Sequence, residues 1–246
     1  MFTNKVAIIG CGPSGLIAAH ACVGAGITPD IYSKEIVKSK LGGAQYLHSQ
    51  IPGLGVSSRA VNYIKFGTQE IYALKVYNNS TQNTSWNTYK EGYHPAWNLI
   101  EAYDILWDLY QAHINELEID SITLPHLIDN YQLVINTAPK KTLCQTDHQF
   151  TSQRILIRKE AQCKPMTIVY DGTYKVHWYR QSNLFGVKFT EYPANPRSTG
   201  TIIKPLLNDC DCWPELFNVG RFGAWDKQQL VDKVFTSVIG KLDEMF

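Results

Sequence analysis

The stretch KVAIIGCGPSGLIAAHACVGAG, near the start of the chain, restricts the possible folds more than any other feature. The apolar run Val6–Ile9 precedes three glycines in the pattern G-x-G-x-x-G, and an Ala- and Leu-rich run follows over residues 14–23. A second apolar run covers residues 28–32. A strand, a glycine turn, a helix and a strand within about 30 residues form the βαβ unit in which this spacing is informative. We therefore predict an α/β chain with a Rossmann-like domain.

Each glycine of this turn has a separate task. Gly10 permits the tight turn, Gly12 lets the backbone approach a pyrophosphate, and Gly15 lets the helix pack closely on the strand. Pro13 and Ser14 begin the helix, whose unpaired N–H groups and positive dipole end attract phosphates. We predict that these five residues bind a nucleotide cofactor. The alternative is a tight strand–helix turn that binds nothing.

The end of the second strand departs from the usual nucleotide-binding pattern. An acidic residue normally stands there and bonds to the ribose. Here Ser33 takes that position, Lys34 follows, and the first acid, Glu35, comes two residues late. We predict cofactor contacts from Ser33 and Lys34, and the choice between NAD and FAD depends on other parts of the chain.

The end of the chain, FNVGRFGAWDKQQLV over residues 217–231, resembles the last FAD-contacting segment of UDP-galactopyranose mutase. That segment has a strand, a Gly-Arg pair, an aromatic residue four positions after the Arg, and a helix. The resemblance implies that Gly220, Arg221 and Trp225 contact FAD. It also implies a helix over residues 225–242 whose positive N-terminus lies near the isoalloxazine. The glycine motif occurs once, with no second copy for an NADPH domain, which also favours FAD.

Two further segments resemble flavoproteins. Residues 41–45, LGGAQ, are similar to the second glycine pair of the mutase family, which implies that Gly43, Ala44 and Gln45 pass along the flavin. Residues 134–139, VINTAP, resemble the strand-to-proline element of flavin amine oxidases. The implied organisation is an FAD-binding domain from residues 1–60, 131–139 and 213–246. A smaller inserted substrate portion, helical plus β-rich, then comprises residues 61–130 and 140–212.

A second resemblance is to short flavoproteins encoded by bacteriophages, through GAQYLHSQIPG, HWYRQSNLFG and CDCWPELFNVGRFGAW. Some phage flavoenzymes act in thymidine hypermodification and convert a glycine-bearing thymine in DNA to an aminomethyl base. The resemblance implies flavin oxidation of a secondary amine to an imine, followed by hydrolysis. The expected partner is therefore a small-molecule amine or a modified nucleobase.

Four side chains are candidates for the chemistry itself. Tyr46 and His48 follow the second glycine pair closely, so we predict that they face the flavin. Tyr179 and Arg180 lie in the aromatic stretch HWYR, and a guanidinium can bind a substrate carboxylate or phosphate through two hydrogen bonds. Glu191 is a further candidate. The alternatives are a loop histidine bonded to backbone and an arginine in an ordinary salt bridge.

Two other functions remain open alongside amine oxidation. One is a redox-neutral, mutase-like enzyme in which N5 of reduced flavin is the nucleophile. Oxygen consumption during turnover separates this enzyme from an oxidase. The other is a non-catalytic nucleotide-binding module, which would hold a cofactor but turn over no substrate.

The six cysteines are scattered, and a chain of 246 residues does not need disulfide staples, so we predict reduced thiols. Cys144-x3-His148 and Cys210-x-Cys212 together contain four zinc-type ligands. Free cysteines are also commonly buried as small apolar residues. We assign no metal to these four side chains from sequence, and whether they form a zinc site stays open.

Charge and hydropathy restrict which partners the protein can bind and in which cellular compartment it works. The net charge is +1, and the basic residues Arg154, Arg158, Lys159 and Lys164 are interrupted by Glu160, a pattern typical of a solvated face. DNA remains a possible partner, since a DNA-acting enzyme needs such a face and must flip its target base. No apolar run approaches the ~18 residues of a membrane span, and no signal peptide is visible. We predict a cytoplasmic protein without membrane contact.

Hydrophobic periodicity gives the remaining elements. We predict a helix over residues 98–117 and an exposed polar loop over residues 78–88. The sequence from residue 150 to 192 is expected to be β-rich, with Asp171-Gly172 as a hairpin turn. Strands are predicted over residues 131–135, 155–157, 167–170, 176–179, 187–192 and 216–219.

Overall fold

The computed structural model describes residues 5–78, 86, 90–194, 198–199 and 201–246. Most of the predicted polar loop, residues 79–85 and 87–88, lies outside the described residues. Three short 3-10 helices are Gln111–His113, Lys140–Thr142 and Val231–Lys233. The strands and α-helices are, in chain order, β1 (Val6–Ile9), α1 (Pro13–Gly24), β2 (Asp30–Ser33), β3 (Tyr46–Leu47), β4 (Ser58–Gly67), α2 (Gln69–Tyr77), β5 (Gly92–Asn98), α3 (Leu99–Tyr110), β6 (Ile114–Glu116), α4 (Leu124–Asn130), β7 (Leu133–Asn136), β8 (Phe150–Arg158), β9 (Thr167–Gly172), β10 (Arg180–Leu184), β11 (Val187–Pro193), β12 (Thr201–Asn208), β13 (Phe217–Asn218), α5 (Gly220–Gly223) and α6 (Val234–Met245).

Five parallel strands form the first sheet, in the order β13-β7-β1-β2-β6. β1 lies in the middle, and Ala7 pairs with Asp30 on one side and with Val134 on the other. All four residues of β1 are buried, because helices and loops cover both faces of a parallel sheet. The predicted α/β chain with a Rossmann-like domain is confirmed.

The helix after the glycine turn is buried along most of its length. Small residues, among them Ala18, Ala19 and Ala21, let α1 approach its neighbours closely, and all three are fully buried. α1 packs on α3 and on α6, and the three helices share one hydrophobic cluster with β1. The glycine turn is thus fixed by the core on which α1 rests.

The second sheet has eight strands in the order β12-β8-β11-β10-β9-β4-β5-β3. Its pairs are antiparallel except for β4 and β9, which run parallel. Its core is rich in tyrosine. Tyr63, Tyr170 and Tyr179 pack together with Tyr72, which lies on α2. The high tyrosine content of the chain therefore serves in part to fill this second core.

The chain crosses between the two sheets four times. The crossings are residues 34–45, the junction of β5 and α3, residues 137–149 and residues 209–216. The sequence analysis assigns residues 61–130 to the inserted portion. In the structure, α3 packs on α1, and β6 pairs with β2 in the five-stranded sheet.

The helix predicted over residues 98–117 is too long. α3 ends at Tyr110, the chain turns through a 3-10 helix, and residues 114–116 form β6. Backbone pairing of β6 with β2, such as Ile114 with Ile31, outweighs the local helical periodicity.

The predictions around residues 171–179 are wrong. Asp171 and Gly172 are the last two residues of β9, paired with Phe66 and Gly67 of β4, and do not form a hairpin turn. Residues 176–179 form no strand, and β10 begins only at Arg180. The Asp171 carboxylate holds the intervening loop, since it accepts hydrogen bonds from Lys75 and from the Thr173 backbone.

The last helix begins later than residue 225. Trp225 has a φ of +50°, a left-handed conformation that interrupts a helix, and α6 starts at Val234. The buried Trp225 ring packs on Phe150 and Phe222, and its indole N–H donates to the Thr151 carbonyl at 2.9 Å. These contacts with β8 and α5 hold Trp225 in its left-handed conformation.

Among the described residues, no helix combines the length and the apolar character that a membrane crossing needs.

Candidate functional site

Two of the three glycines in the first turn are required by close packing. Gly10 has a φ of +102°, and a Cβ there would lie 2.7 Å from Thr137 Oγ1. A Cβ on Gly15 would lie only 1.9 Å from the Gly10 carbonyl oxygen. These positions tolerate no side chain, and they bring the start of α1 against the end of β7.

The surroundings of Gly12 are open. A Cβ on Gly12 would meet only the Ser39 hydroxyl, at 3.9 Å, within 4 Å. Gly12 is the N-cap of α1, and no side chain caps the helix. The first-turn N–H groups and the free space at Gly12 together fit a phosphate group, because such helix ends bind anions.

The segment near the C-terminus lies directly on this turn. Gly220 has a φ of +71°, and a Cβ there would lie 2.4 Å from the Ser14 hydroxyl. The next residue, Arg221, has its Nε atom buried and without a hydrogen-bond partner among the described residues. A buried donor of this kind is rare in the absence of a ligand.

The two residues predicted at the end of β2 have mainly local partners. The Ser33 hydroxyl donates to the Glu35 carbonyl at 2.9 Å and lies 3.1 Å from Cys11 Sγ in the glycine turn. Lys34 forms an exposed ion pair with Glu118, whose hydrogen bond and charge raise the pKa of Lys34. Ser33 is therefore beside the turn, whereas the Lys34 ammonium is held away by its partner.

The second glycine pair lies over a buried carboxylate. Gly43 has a φ of +80°, and a Cβ there would lie 3.2 Å from Glu191 Oε1. The Gln45 side chain donates to the Gly42 carbonyl and so closes its own turn. Ala44 packs against the aromatic core of the second sheet.

Glu191 is the centre of an ionic cluster. It is only 1% exposed, and its carboxylate accepts hydrogen bonds from the Tyr179 hydroxyl at 3.0 Å and Lys204 Nζ at 2.9 Å. Arg180 donates to the same carboxylate from Nε, at 2.9 Å, and from its terminal nitrogen. β10, β11 and β12 thus each supply part of one buried network.

Burial and neighbouring charges shift the pKa values of the groups in this cluster. Burial by itself would raise the pKa of Glu191, but Arg180 and Lys204 lower it to about 2. Burial lowers the pKa of Lys204 to about 8, although the charge of Glu191 opposes this shift. Glu191 is therefore ionised at neutral pH, and Lys204 titrates closer to neutrality than an ordinary lysine does.

Arg221 adds a third cation to this region. Burial lowers its pKa, and the charge of Arg180 lowers it further. The charge of Glu191 raises the pKa values of Lys204 and Arg221, and that of Asp232 raises the pKa of the adjacent His48. Arg180, Lys204 and Arg221 thus outnumber these two carboxylates, which favours an anionic ligand.

Tyr46 and His48 complete the cluster. Their ring centroids lie 4.6 Å apart in an edge-on arrangement. Burial lowers the pKa of His48 to about 4; Asp232 opposes this shift, and Arg180 and Arg221 reinforce it. His48 is therefore neutral at pH 7. Burial raises the pKa of Tyr46 well above its usual value, so the phenol stays protonated.

The structure thus brings together most of the predicted site. Tyr46, His48, Tyr179 and Arg180 lie in one cluster with Arg221, which sequence analysis placed at the cofactor. Trp225 contacts β8, Phe222 and Lys141, whose ammonium lies 5.3 Å from the ring centroid. Its contact with a flavin stays a prediction.

Lys204 is the member of the cluster that sequence reasoning missed. It lies in TIIKPLLN, where Pro205 argues against a central strand. β12 is an edge strand whose register shifts between Pro205 and Leu207, so the proline is accommodated there. The available signal was an isolated lysine within an apolar run.

Comparisons with known proteins identify the fold. No protein-family model matches the chain, and no curated protein matches it in sequence. A crystal structure of reduced UDP-galactopyranose mutase aligns with a TM-score of 0.60 and 12% identity, over 99% of this chain and 94% of that one. An HpxO variant from Klebsiella pneumoniae complexed with FAD gives a TM-score of 0.52 at 11% identity, over 96% and 80%. The oxygenase of 2-methyl-3-hydroxypyridine-5-carboxylic acid gives 0.51 at 12%, over 99% and 88%. The chain therefore has the Rossmann-like fold of FAD-dependent enzymes.

Proposed function

We propose that this protein binds FAD and oxidises a C–N bond of an amine that carries an anionic group. The observation that carries the proposal is the meeting of Gly43, Arg221 and the Arg180–Glu191–Lys204 network at one buried place. Residues 41–45, which the mutase resemblance places along the flavin, thus lie directly on the cation-rich cluster. Bound FAD would supply the two-electron acceptor at this place.

The residues of the first glycine turn fit the cofactor's pyrophosphate. The uncapped N-terminus of α1 and the free space at Gly12 suit phosphate oxygens. Ser33 stands beside the turn at the position of the usual ribose-binding acid. The Nε of Arg221, buried and unpartnered within the described part of the chain, is a further donor available to the cofactor or the substrate.

The substrate is expected to carry a carboxylate. Arg221 offers a planar guanidinium group, which can bind a carboxylate through paired hydrogen bonds, and its Nε has no partner among the described residues. Arg180 is already bonded to Glu191 and adds positive charge beside it. His48 is neutral at pH 7, so it can accept a hydrogen bond from an amine without adding positive charge. An N-substituted glycine satisfies both requirements, and a glycine-modified thymine base belongs to this class.

The proposed reaction balances with FAD as the oxidant. The α-carbon of the glycine unit loses a hydride, which carries both electrons, its nitrogen loses a proton, and a C=N bond forms. Water then adds to the imine carbon and the C–N bond breaks, which gives an amine and an aldehyde. Dioxygen or another electron acceptor must reoxidise the cofactor.

A visible absorption spectrum of the purified, desalted protein is the first test. We expect a flavin spectrum, and FAD in the supernatant after heat release. Anaerobic addition of an N-alkylglycine should bleach the flavin, whereas the matched N-alkylethanolamine, which lacks the carboxylate, should not. A colourless protein that takes up no added FAD contradicts the whole proposal, and equal bleaching by both amines contradicts its carboxylate part.

A modified base within DNA is the more specific form of this proposal. Basic residues lie on β8, where Arg154 bonds to the Thr201 hydroxyl at 3.0 Å and Arg158 stacks 5.3 Å from the Tyr192 ring. Turnover of a glycine-modified thymidine should be compared as free nucleoside and within a single-stranded oligonucleotide. A preference for the oligonucleotide that weakens with salt supports DNA as the substrate. If the free nucleoside and the oligonucleotide are turned over equally well, the substrate is the small molecule and not DNA.

A redox-neutral, mutase-like reaction is the second candidate. It is favoured by the electrostatic proximity of Arg180 and Arg221, since two arginines suit a sugar-nucleotide diphosphate. Conversion of a UDP-sugar that requires prior reduction of the protein and consumes no oxygen would support it. Oxygen consumption with an N-alkylglycine supports the oxidase.

A further inference from the structure

The side chains of Cys144, His148, Cys210 and Cys212 meet at one point of the fold. One ligand atom from each lies within 4.8 Å of all the others. The four residues come from two crossings between the sheets, residues 137–149 and residues 209–216. Their spacing in the chain gives only a weak signal, because C-x3-H and C-x-C lie more than 60 residues apart.

The distances between these atoms have the dimensions of a tetrahedral zinc site. Zn–S bonds of about 2.3 Å and Zn–N bonds of about 2.0 Å place tetrahedral ligands about 3.8 Å apart for S···S and about 3.5 Å apart for S···N. Cys144 Sγ and Cys212 Sγ are 3.8 Å apart. His148 Nδ1 lies 3.3 Å from Cys144 Sγ and 3.4 Å from Cys212 Sγ.

The surroundings supply what a ligating histidine needs. Nε2 of His148, the ring nitrogen away from the thiols, lies 3.4 Å from an Asp211 carboxylate oxygen. A carboxylate in this position orients a zinc-bound imidazole. The Thr146 hydroxyl lies 2.8 Å from Nδ1 and 4.0 Å from Cys212 Sγ, so it can turn to a thiolate when Nδ1 binds an ion.

We propose that these three cysteines and His148 bind one Zn²⁺ ion. Three thiolates and one imidazole are soft ligands that favour zinc over magnesium or calcium. Four protein ligands leave no open position for water or substrate, so the site is structural. The bound site carries one unit of negative charge. The Lys140 ammonium, which donates to the Cys210 carbonyl at 2.6 Å, lies close enough to offset it.

The ion would fasten the two crossings to each other. The same segments are already joined by the Trp213 indole N–H, which donates to the Leu143 carbonyl at 2.6 Å, and by the bond from the Gln149 amide to Asp209 at 2.8 Å. Of these two crossings, residues 209–216 lead through β13 to Gly220 and Arg221. The zinc site therefore fixes the path by which the chain re-enters the five-stranded sheet above the glycine turn.

The test is the metal content of the full chain, expressed with zinc and exchanged into metal-free buffer. We expect about one zinc ion per chain for the wild type and for Cys163→Ser. Cys163 is the matched control, since it is a half-buried thiol outside the cluster that donates to the Thr167 carbonyl. Cys212→Ser should lose most of the zinc and unfold at a lower temperature.

Two measurements on the wild type keep the proposal falsifiable if Cys212→Ser fails to fold. A strong chelator should remove the zinc and lower the Tm. Replacement by Co²⁺ should give the intense long-wavelength absorption of tetrahedral thiolate coordination, beyond the flavin bands. Zinc at a small fraction of one ion per chain, with Cys144 and Cys212 found as a disulfide or as metal-free thiols, overturns the proposal. So does Cys212→Ser with undiminished zinc. Neither result depends on flavin or on activity.

Discussion

Two glycines lie at opposite ends of α1: Gly12 is its N-cap, and Gly24 is its last residue. Neither would bring a Cβ into close contact with protein atoms. Gly12, however, stands at the uncapped helix N-terminus where a pyrophosphate fits, whereas Gly24 is exposed at the other end.

Gly12→Val should therefore leave a folded protein that loses its flavin. Two methyl groups would occupy the space that the phosphate oxygens need, and we expect at least a tenfold loss in FAD affinity, about 1.4 kcal/mol. Gly24→Val should bind FAD like the wild type. Flavin content and far-UV circular dichroism measure the two effects separately. Full flavin retention by Gly12→Val would remove the basis for placing the pyrophosphate there.

Glu191 supplies the negative charge that Arg180 and Lys204 contact in the buried cluster. Glu191→Gln keeps the shape of the side chain but leaves these cations without a counter-charge. Removing one member of a buried ion pair typically costs about 3–5 kcal/mol. We expect a loss of this size in the free energy of unfolding, measured with urea on the flavin-free protein.

Glu160→Gln is the matched control for Glu191→Gln. Glu160 lies 3.9 Å from Arg158, and both side chains are more than half exposed, so the pair contributes little. A change of less than about 1 kcal/mol is expected there. Equal losses for the two variants would mean that the Glu191 network does not stabilise the fold.

At the scale of elements, two glycines near the C-terminus should respond oppositely to alanine. A Cβ on Gly223, in α5, would lie 2.2 Å from the Asn136 carbonyl oxygen at the end of β7. A Cβ on Gly240, in α6, would meet nothing within 4 Å. Gly223→Ala should lower the Tm, because α5 must move away from β7, whereas Gly240→Ala should raise stability by roughly 1 kcal/mol through helix propensity. A neutral Gly223→Ala would show that α5 is loosely held.

The elements that sequence predicted are those whose local signal agrees with their tertiary setting. β1, α1, β2 and β7 have continuous apolar runs or glycine punctuation, and every residue of β1 and β7 is buried. β4 and β5 were not predicted because their partly exposed sequences show no clean alternation. The start of α6 was misplaced because the buried indole of Trp225, and not a helix signal, decides the conformation there.

The residues of the candidate site also fall into those that the sequence could predict and those that it could not. Gly10, Gly12 and Gly15 could be assigned from their spacing. Close packing requires glycine at positions 10 and 15, whereas the phosphate contact of Gly12 stays a prediction. Lys204 could not, because its role depends on β12 lying beside β8 and on the three-dimensional path of the Glu191 network. The four zinc-type ligands could be recognised by residue type, whereas their meeting depends on two distant crossings.

At the scale of the whole molecule, the buried cluster makes stability depend on pH. The native protein keeps His48 neutral down to a pKa of about 4, whereas an unfolded histidine takes up its proton near 6.5. Between these values the unfolded chain binds more protons, so acidification favours unfolding. One proton accounts for at most about 1.4 kcal/mol per pH unit in this window.

His48→Gln removes this titration and should flatten the dependence of the unfolding free energy on pH between about 6.5 and 4. His113→Gln, at an exposed histidine beyond α3, is the control and should follow the wild type. Urea denaturation at several pH values gives the slopes, and the difference between variant and wild type cancels the other titrating groups. If the slopes of His48→Gln and the wild type coincide, His48 is not held neutral in the folded protein. Burial, the main cause of the lowered pKa of His48, would then be weaker than the packing of the cluster implies.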